Sequence, residues 1–482
     1  MYNKKMWIGG EFVAAVSGKT FATYNVTTNE ELGRAPLADQ ADVDKAVAAA
    51  RQAFPAWSEK TPAERAVVSR KIAAAMREAM DELAQLDTLE HGLPGGPAKG
   101  VGMAATGLFD TAADYARAVF GDAISSSLKH ATYTLERVPI GVCALITPWN
   151  MPLFLMAAKV ALAITSGNTC ILKPPSINSI TALRFAEAMA TVKELPPGVV
   201  NVITGPGSSI GNILAAHEGI DCVGFTGSTE TGSSIMAAAA PTLKKLVMEL
   251  GGKNPAIILP DANLDRAVEV LSHHQFFNCG QACGSPGRYY IHESIFDQFL
   301  EKYLEHAHHF VLGDPQDPKT VVGPMVSKEH MNKVLSYIAS GKQEGATLKL
   351  GGERLLTPPY DQGNFVLPTV FTDVTPAMKI YREEIFGPVA VMLKFSAEED
   401  VLQLANDNTY GLTASIWTRN IAKALKMGRK LTVGTFSVNA HNLIAPEVPW
   451  GGVRRSGIGK EGGLSGFLEF TEQKMITIDL TE

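Results

Sequence analysis

Cysteine is scarce in this chain: 482 residues contain five, an odd number, at Cys143, Cys170, Cys222, Cys279 and Cys283. That excludes a disulfide framework and fits a reducing compartment, leaving each thiol free to be a core filler or a nucleophile. Basic residues are not in excess either. Lys and Arg number 43 against 49 Asp and Glu, a net charge of −6, so no electrostatic footprint exists for a nucleic-acid backbone or an anionic membrane. The expected partners are small molecules and other subunits. With 44 Gly, 27 Pro and 46% hydrophobic residues the composition is ordinary globular usage, which excludes disorder and collagen-like repeats. No period of roughly 20 to 50 residues recurs, so a solenoid is excluded as well.

Long apolar runs are also missing. The opening MYNKKMWIGGEFV lacks the apolar stretch of a secretory signal, which points to the cytoplasm. Between Arg137 and Lys159 the chain carries no charge, but Pro139, Pro148 and Pro152 interrupt it. It reads as a buried strand over 142–146, a polar loop and a helix from about Pro152, not a membrane span.

What is present is alternation. Helical periodicity runs over 41–54, 62–86, 104–123, 180–192 and 264–276, and between these lie short β-branched runs such as VCALIT, NTCILK, VVNVIT and CVGFTG. Short apolar strands alternating with helices predict parallel βαβ units covered on both faces, a doubly wound α/β domain in the first half. A second α/β series follows Gly251, through AIILP, GRYYIHE, VAVMLKF, TASIWT and GTFSVN. Segments 131–138 and 470–480 alternate like half-exposed strands, and are expected to pair at an edge.

Several residues could carry chemistry. Cys283, in NCGQACGSPG, has glycines on either side that let a ligand approach the backbone; it reads as a buried small hydrophobe or as a nucleophile. Cys279 reads as a wall residue, or as a regulatory disulfide partner of Cys283. Glu249, in LVMELGGKNP, is either an ordinary paired glutamate or a desolvated general base. Asn150, in TPWN, is either a turn residue or a neutral donor to an oxyanion. Two glycine-rich turns, GPGSSIG at 205–211 and GFTGSTETG at 224–232, each follow a strand and precede a helix, a setting suited to phosphate, although neither is G-x-G-x-x-G. Lys173, at the end of NTCILKPP, is an ordinary strand-end lysine or a donor to a hydroxyl or phosphate. The histidine pairs His273–His274 and His308–His309 have no ligand spacing and read as helix-surface residues, so no metal is expected.

Taken in order, TPWN, ILKP, FTGST, MELGGKNP, GQAC, LPTVF, EEIFGPV and PWGGVRRSGIGKEGG resemble the aldehyde dehydrogenase superfamily over nearly the whole chain. The resemblance implies a Rossmann-like cofactor domain (1–120 and 140–251), an α/β catalytic domain (252–450) and a small β oligomerisation arm (121–139 and 465–482). It implies that Cys283 attacks the aldehyde, that the Asn150 amide and the Cys283 N–H hold the oxyanion, and that Glu249 activates the water that hydrolyses the thioester. It also implies that Lys173 binds adenosine ribose, that Gly227 and Ser228 face the pyrophosphate, that Glu384 and Phe386 orient the nicotinamide end, and that Thr147, Trp149 and Gly207 line the cofactor cleft.

Departures matter. Ser176 stands where many NAD-preferring relatives carry Glu, removing an acceptor for the ribose hydroxyls and a repulsion against a 2′-phosphate. Ile177, Asn178 and Ser179 supply no cation, so NAD is expected with NADP tolerated. Met151, Phe154, Leu155, Ala158, Phe277, Ala282, Ile444 and Trp450 are the expected substrate tunnel. None is charged, which favours a bulky, apolar aliphatic, terpenoid or aromatic aldehyde. His441 is the one polar neighbour, either a surface loop histidine or a substrate contact. A coenzyme-A-acylating relative and a catalytically silent structural relative are the alternatives. Glu249 argues against the first and the intact catalytic set against the second. The resemblance further implies a homodimer or homotetramer.

Overall fold

The protein is described by a computed structural model covering residues 1–119 and 121–481. Two large sheets organise it. The first has eight strands in the order Gly457–Ile458, Lys245–Glu249, Cys222–Thr226, Val142–Ile146, Thr169–Lys173, Val200–Val202, Met6–Ile8, Glu11–Val13. Its five central strands are parallel and its flanks antiparallel. Helices cover both faces, which is why Val142–Ile146 and Thr169–Lys173 are buried at every position and read as continuous apolar runs. Separate cores fill the two sides, one including Phe109, Met156 and Phe185, the other Ile171, Ile210 and Phe225.

The second sheet has seven strands, ordered Thr347–Leu350, Thr369–Thr372, Val389–Phe395, Pro286–His292, Asn254–Ile258, Thr413–Trp417, Thr435–Val438. All but the first pair are parallel. The charge-free segment between Arg137 and Lys159 divides as expected into the strand Val142–Ile146 and the helix Pro152–Thr165. Among the described residues no helix is long and apolar enough to cross a membrane.

The alternating segments pair along their whole length: Thr471–Asp479 runs antiparallel to Ala131–Pro139, with Asp122–Ile124 on the other side. Residues 463–469, at the start of the expected tail segment, form a helix instead. The expected boundary residues 120 and 482 lie outside the described residues.

Two helices differ from the periodicity. The run over 62–86 is two helices, Pro62–Glu78 and Met80–His91, broken at Ala79. The first is opened by a capping box in which Thr61 and Glu64 satisfy each other's backbone N–H groups. The run over 104–123 is instead Gly95–Ala118, beginning well upstream. Glycines at 95, 96, 100 and 102 hid that start, since glycine disfavours helix interiors. Gly102 is there for packing: a Cβ at that position would lie 2.5 Å from the Met80 sulfur.

Candidate active site

Residues at the carboxyl ends of the first sheet's strands, among them Thr226 and Glu249, meet Cys283, Glu384 and Phe386 from beyond Gly251 around one cavity, the kind of place where ligands bind in open α/β sheets. A cavity of about 220 Å³ is lined by Trp149, Asn150, Leu155, Gly227, Ser228, Glu249, Cys283, Glu384, Phe386 and Trp450. These ten expected residues come from seven separate stretches of chain.

Cys283 sits on a tight turn closed by the Ser285 N–H donating to the Ala282 carbonyl at 3.0 Å. Burial pushes its thiol up to about 12, helped by the nearby Glu384 and Glu249 carboxylates and opposed by the backbone N–H groups of Gly284 and Cys283. Burial and the two carboxylates thus favour the neutral thiol, and an added positive charge or donor would favour the anion. Cys279, in contrast, is fully enclosed and its thiol donates to the Gly323 carbonyl at 2.9 Å. That makes it a wall residue.

Glu249 ends its strand 3% exposed, and neither carboxylate oxygen has a hydrogen-bond partner. Burial raises its carboxyl to about 8, against the pull of Lys159 and Lys460. The group lies close against Gly451, where a Cβ would come within 2.3 Å of Oε1. An unpartnered carboxyl titrating near neutrality has the properties of a general base. The Asn150 residue is anchored through its carbonyl, which accepts from the Asn278 amide at 2.8 Å, while its side chain lines the cavity.

On the far side, Glu384 accepts from the Gly252 N–H at 2.9 Å, and burial lifts its carboxyl to about 7. Trp149 and Phe386 meet edge to face with ring centroids 5.4 Å apart. His330 completes this wall, 5.1 Å from Trp149 and hydrogen-bonded through Nε2 to the Phe386 carbonyl at 2.8 Å. Sequence reasoning missed His330 and Lys333, which line the same cavity three residues apart on the helix Lys328–Gln343. It also missed Glu461, the buried partner of Lys159. No local motif flags His330 or Lys333, and Glu461 lies within the PWGGVRRSGIGKEGG motif without having been singled out.

The remaining cofactor candidates lie at neighbouring strand ends. The Thr147 N–H donates to the Lys173 carbonyl at 3.2 Å, and the Thr147 hydroxyl is buried without a partner. Lys173 is buried, which lowers its ammonium to about 8. Gly207, opening the helix Gly207–Ala216, leaves a gap where a Cβ would stand 3.9 Å from Lys173 Nζ. Ser228 caps the helix Thr229–Ala239 by accepting from the Thr231 N–H. An orphaned hydroxyl, an unpaired lysine and a glycine gap beside two helix starts fit a dinucleotide. Ser176 lines a second cavity of about 510 Å³ together with Pro206, Lys328 and Glu329.

Of the expected tunnel, Leu155 and Trp450 line the inner cavity, and Trp450 also lines an outer one of about 270 Å³ with Leu443, Ile444 and Val448. Phe277 stacks on His273, and Ala282 lines a separate small pocket with Gln275 and Gly280. Phe154 packs against the first sheet's core and Ala158 is buried there. Met151 is the residue preceding the helix Pro152–Thr165 and does not line the cavity. His441 is not a surface histidine: it is 2% exposed and bonded on both ring nitrogens.

The model of the Aldehyde dehydrogenase family matches residues 12–476. The chain belongs to the aldehyde dehydrogenase family. It is an oxidoreductase acting on aldehydes. An aldehyde dehydrogenase of Enchytraeus buchholzi is 42% identical over 479 residues, covering 98% of this chain and 95% of that protein. Aldehyde dehydrogenase 1A1 of Macaca fascicularis is 40% identical over 487 residues, covering 99% and 95%. Among solved structures, an NAD-dependent aldehyde dehydrogenase from Sinorhizobium meliloti superposes with a TM-score of 0.97 at 38% identity, covering 100% of this chain and 95% of that one. Betaine aldehyde dehydrogenase from Staphylococcus aureus, in complex with NAD+, does so at 0.97 and 34%, covering 99% and 95%. The enzyme thus shares the two-sheet aldehyde dehydrogenase architecture.

Proposed function

We propose that the enzyme oxidises a bulky, apolar aldehyde to its carboxylic acid, with NAD as cofactor and NADP tolerated. The observation that carries this reading is the shared cavity, in which an unpartnered, buried Glu249 carboxyl stands with Cys283 and Asn150. The Cys283 thiol gives up its proton to solvent as its sulfur adds to the aldehyde carbon, and the Asn150 amide with the Cys283 N–H takes the charge that develops on oxygen. When bound, NAD would accept the hydride whose loss from carbon turns this adduct into a thioester; Lys173, Gly227, Ser228, Glu384 and Phe386 would hold it, with Thr147, Trp149 and Gly207 lining its cleft. Glu249 then takes a proton from water as that water attacks the thioester carbonyl, the C–S bond breaks, and the acid leaves with the thiol restored.

Apolar Leu155 and Trp450 at the inner cavity and Leu443, Ile444 and Val448 at its mouth support the substrate class. Ser176 on the lining of a cavity that also holds Lys328 supports tolerance of a 2′-phosphate, and the solved relatives described as NAD-dependent or NAD+-bound support NAD. We further assign cofactor binding to 1–120 and 140–251, catalysis to 252–450, and assembly as a dimer or tetramer to the arm of 121–139 and 465–482. The arm exposes Ile124, Met475, Ile478 and Leu480, apolar side chains that a neighbouring copy would cover. Five unpaired cysteines suit a reducing compartment such as the cytoplasm.

The test is product analysis with an apolar aldehyde. Wild-type protein should release acid and NADH in equal amounts even with coenzyme A present; acyl-coenzyme A as the main product would overturn the hydrolytic step. Cys283→Ala should lose about 10⁴-fold or more in turnover while still binding NAD.

A further inference from the structure

Three consecutive carbonyls on the nucleophile turn are each held by a side chain. The Asn254 amide donates to the Cys283 carbonyl and to the Ser285 carbonyl, both at 2.8 Å. The carbonyl between them, that of Gly284, accepts from His441 Nε2 at 2.8 Å and from the Asn442 amide. Both donors come from the loop after the strand Thr435–Val438, the loop that continues into Leu443 and Ile444 at the substrate mouth. Gly284 has no side chain to restrict it, and the Asn442 amide fills the vacant space: a Cβ on Gly284 would lie 2.2 Å from the Asn442 amide nitrogen.

The hydrogen bonds also fix the imidazole tautomer. Ser415 Oγ accepts from the Trp417 indole at 3.2 Å, so its own proton is free for His441 Nδ1, 3.0 Å away. Nδ1 therefore accepts and Nε2–H donates to Gly284. Burial and the neighbouring His274 hold the ring neutral, with its pKa near 3, so this donor persists across the working pH range.

Resting on the reading of Cys283 as nucleophile, we propose that His441, with Asn442, is a positioning residue. By clamping the Gly284 carbonyl it fixes the peptide unit that follows Gly284, while Asn254 on the Cys283 carbonyl fixes the unit that carries the Gly284 N–H; with both units held, glycine cannot turn that N–H away from the Cys283 sulfur, whose anion it favours. The groups opposing the anion are Glu249 and Glu384, and these are untouched by the clamp.

The test is alkylation of Cys283 by iodoacetamide in the full-length protein, followed by mass spectrometry across pH 7 to 10, alongside kcat and KM. His441→Leu keeps bulk but removes the donor; its alkylation rate should fall about tenfold at every pH, the size of a one-unit rise in thiol pKa, with kcat falling in parallel. His441→Gln places an amide donor at the same reach and should recover both. Unchanged alkylation in H441L with only KM altered would make His441 a pocket wall and overturn the proposal, as would failure of a folded H441Q to recover. Should H441L not fold, Asn442→Ala, at a partly exposed position, should slow alkylation in the same direction, and a wild-type rate there would overturn it too. Turnover retained by Cys283→Ala would instead sink the functional reading, a result separate from the alkylation comparison.

Discussion

The inner cavity and the outer mouth are built from opposite materials. Around Cys283 lie titratable groups displaced from their usual ranges by burial: Cys283 up to about 12, Glu249 to about 8 and Glu384 to about 7. At the mouth, Leu443, Ile444 and Val448 are apolar and exposed, Leu443 at 83%. The inner region stores the free energy of desolvated charge and spends stability on reactivity. These three exposed side chains have little invested in any one conformation, so they can change without disturbing the inner groups. Among the described residues, Trp450 is the one that lines both cavities.

That contrast can be broken in order of effect. Glu249→Gln should cut steady-state turnover by about 10²- to 10⁴-fold while leaving a first-turnover burst of NADH, because hydride transfer precedes the step that needs the base. In the wild type, acid release should rise with pH up to about 8 and level above it, since the raised carboxyl is a base only once ionised; the variant should lack that rise. A variant with normal turnover would remove Glu249 from the mechanism. Asn150→Ala should lower kcat by roughly 10²- to 10³-fold, because a lost donor to the developing oxyanion is felt in the transition state. Ile444→Ala should raise KM for a long apolar aldehyde by about tenfold and leave kcat within about twofold. A large kcat effect there would erase the division between chemistry and mouth.

Smallest is the effect on folding. A carboxyl raised from 4.5 to about 8 binds its proton more tightly in the folded state, so its ionisation costs stability. That cost grows as pH rises from 4.5 to about 8 and is constant above. Glu249→Gln should therefore raise the melting temperature more at pH 9 than at pH 5. An equal or smaller gain at pH 9 would mean the carboxyl is not desolvated as described.

Motif and fold were legible where the constraint is local. Strand Val389–Phe395 coincides with the apolar run VAVMLKF, and Cys283, Glu249 and Asn150 each sit beside glycines or prolines that mark a turn at a strand end. What failed were inferences from sequence adjacency to spatial adjacency. Ala282 precedes Cys283 but lines another pocket, and Phe277 follows a helix that points it at His273. His330 and Lys333 belong to a helix with ordinary amphipathic spacing, and only the packing of that helix over the crevice makes them site residues. His441 was misread because a loop without secondary structure suggested solvent, whereas Ser415, Trp417 and Gly284 enclose it.

The strand that carries Glu249 is not an edge of its sheet. Gly457–Ile458 pairs antiparallel with it, matching Ile458 to Met248 and Gly457 to Glu249. More than 200 residues separate the two partners, so Glu249 sits on a strand that must wait for a much later part of the chain. During synthesis, at about 5 to 20 residues per second, the first sheet gains its four inner neighbours long before this last one arrives. Until then the Glu249 strand offers an open backbone edge, and a chain ending short of residue 457 would keep it. Completion of Glu249's surroundings thus doubles as a check that synthesis has passed residue 458.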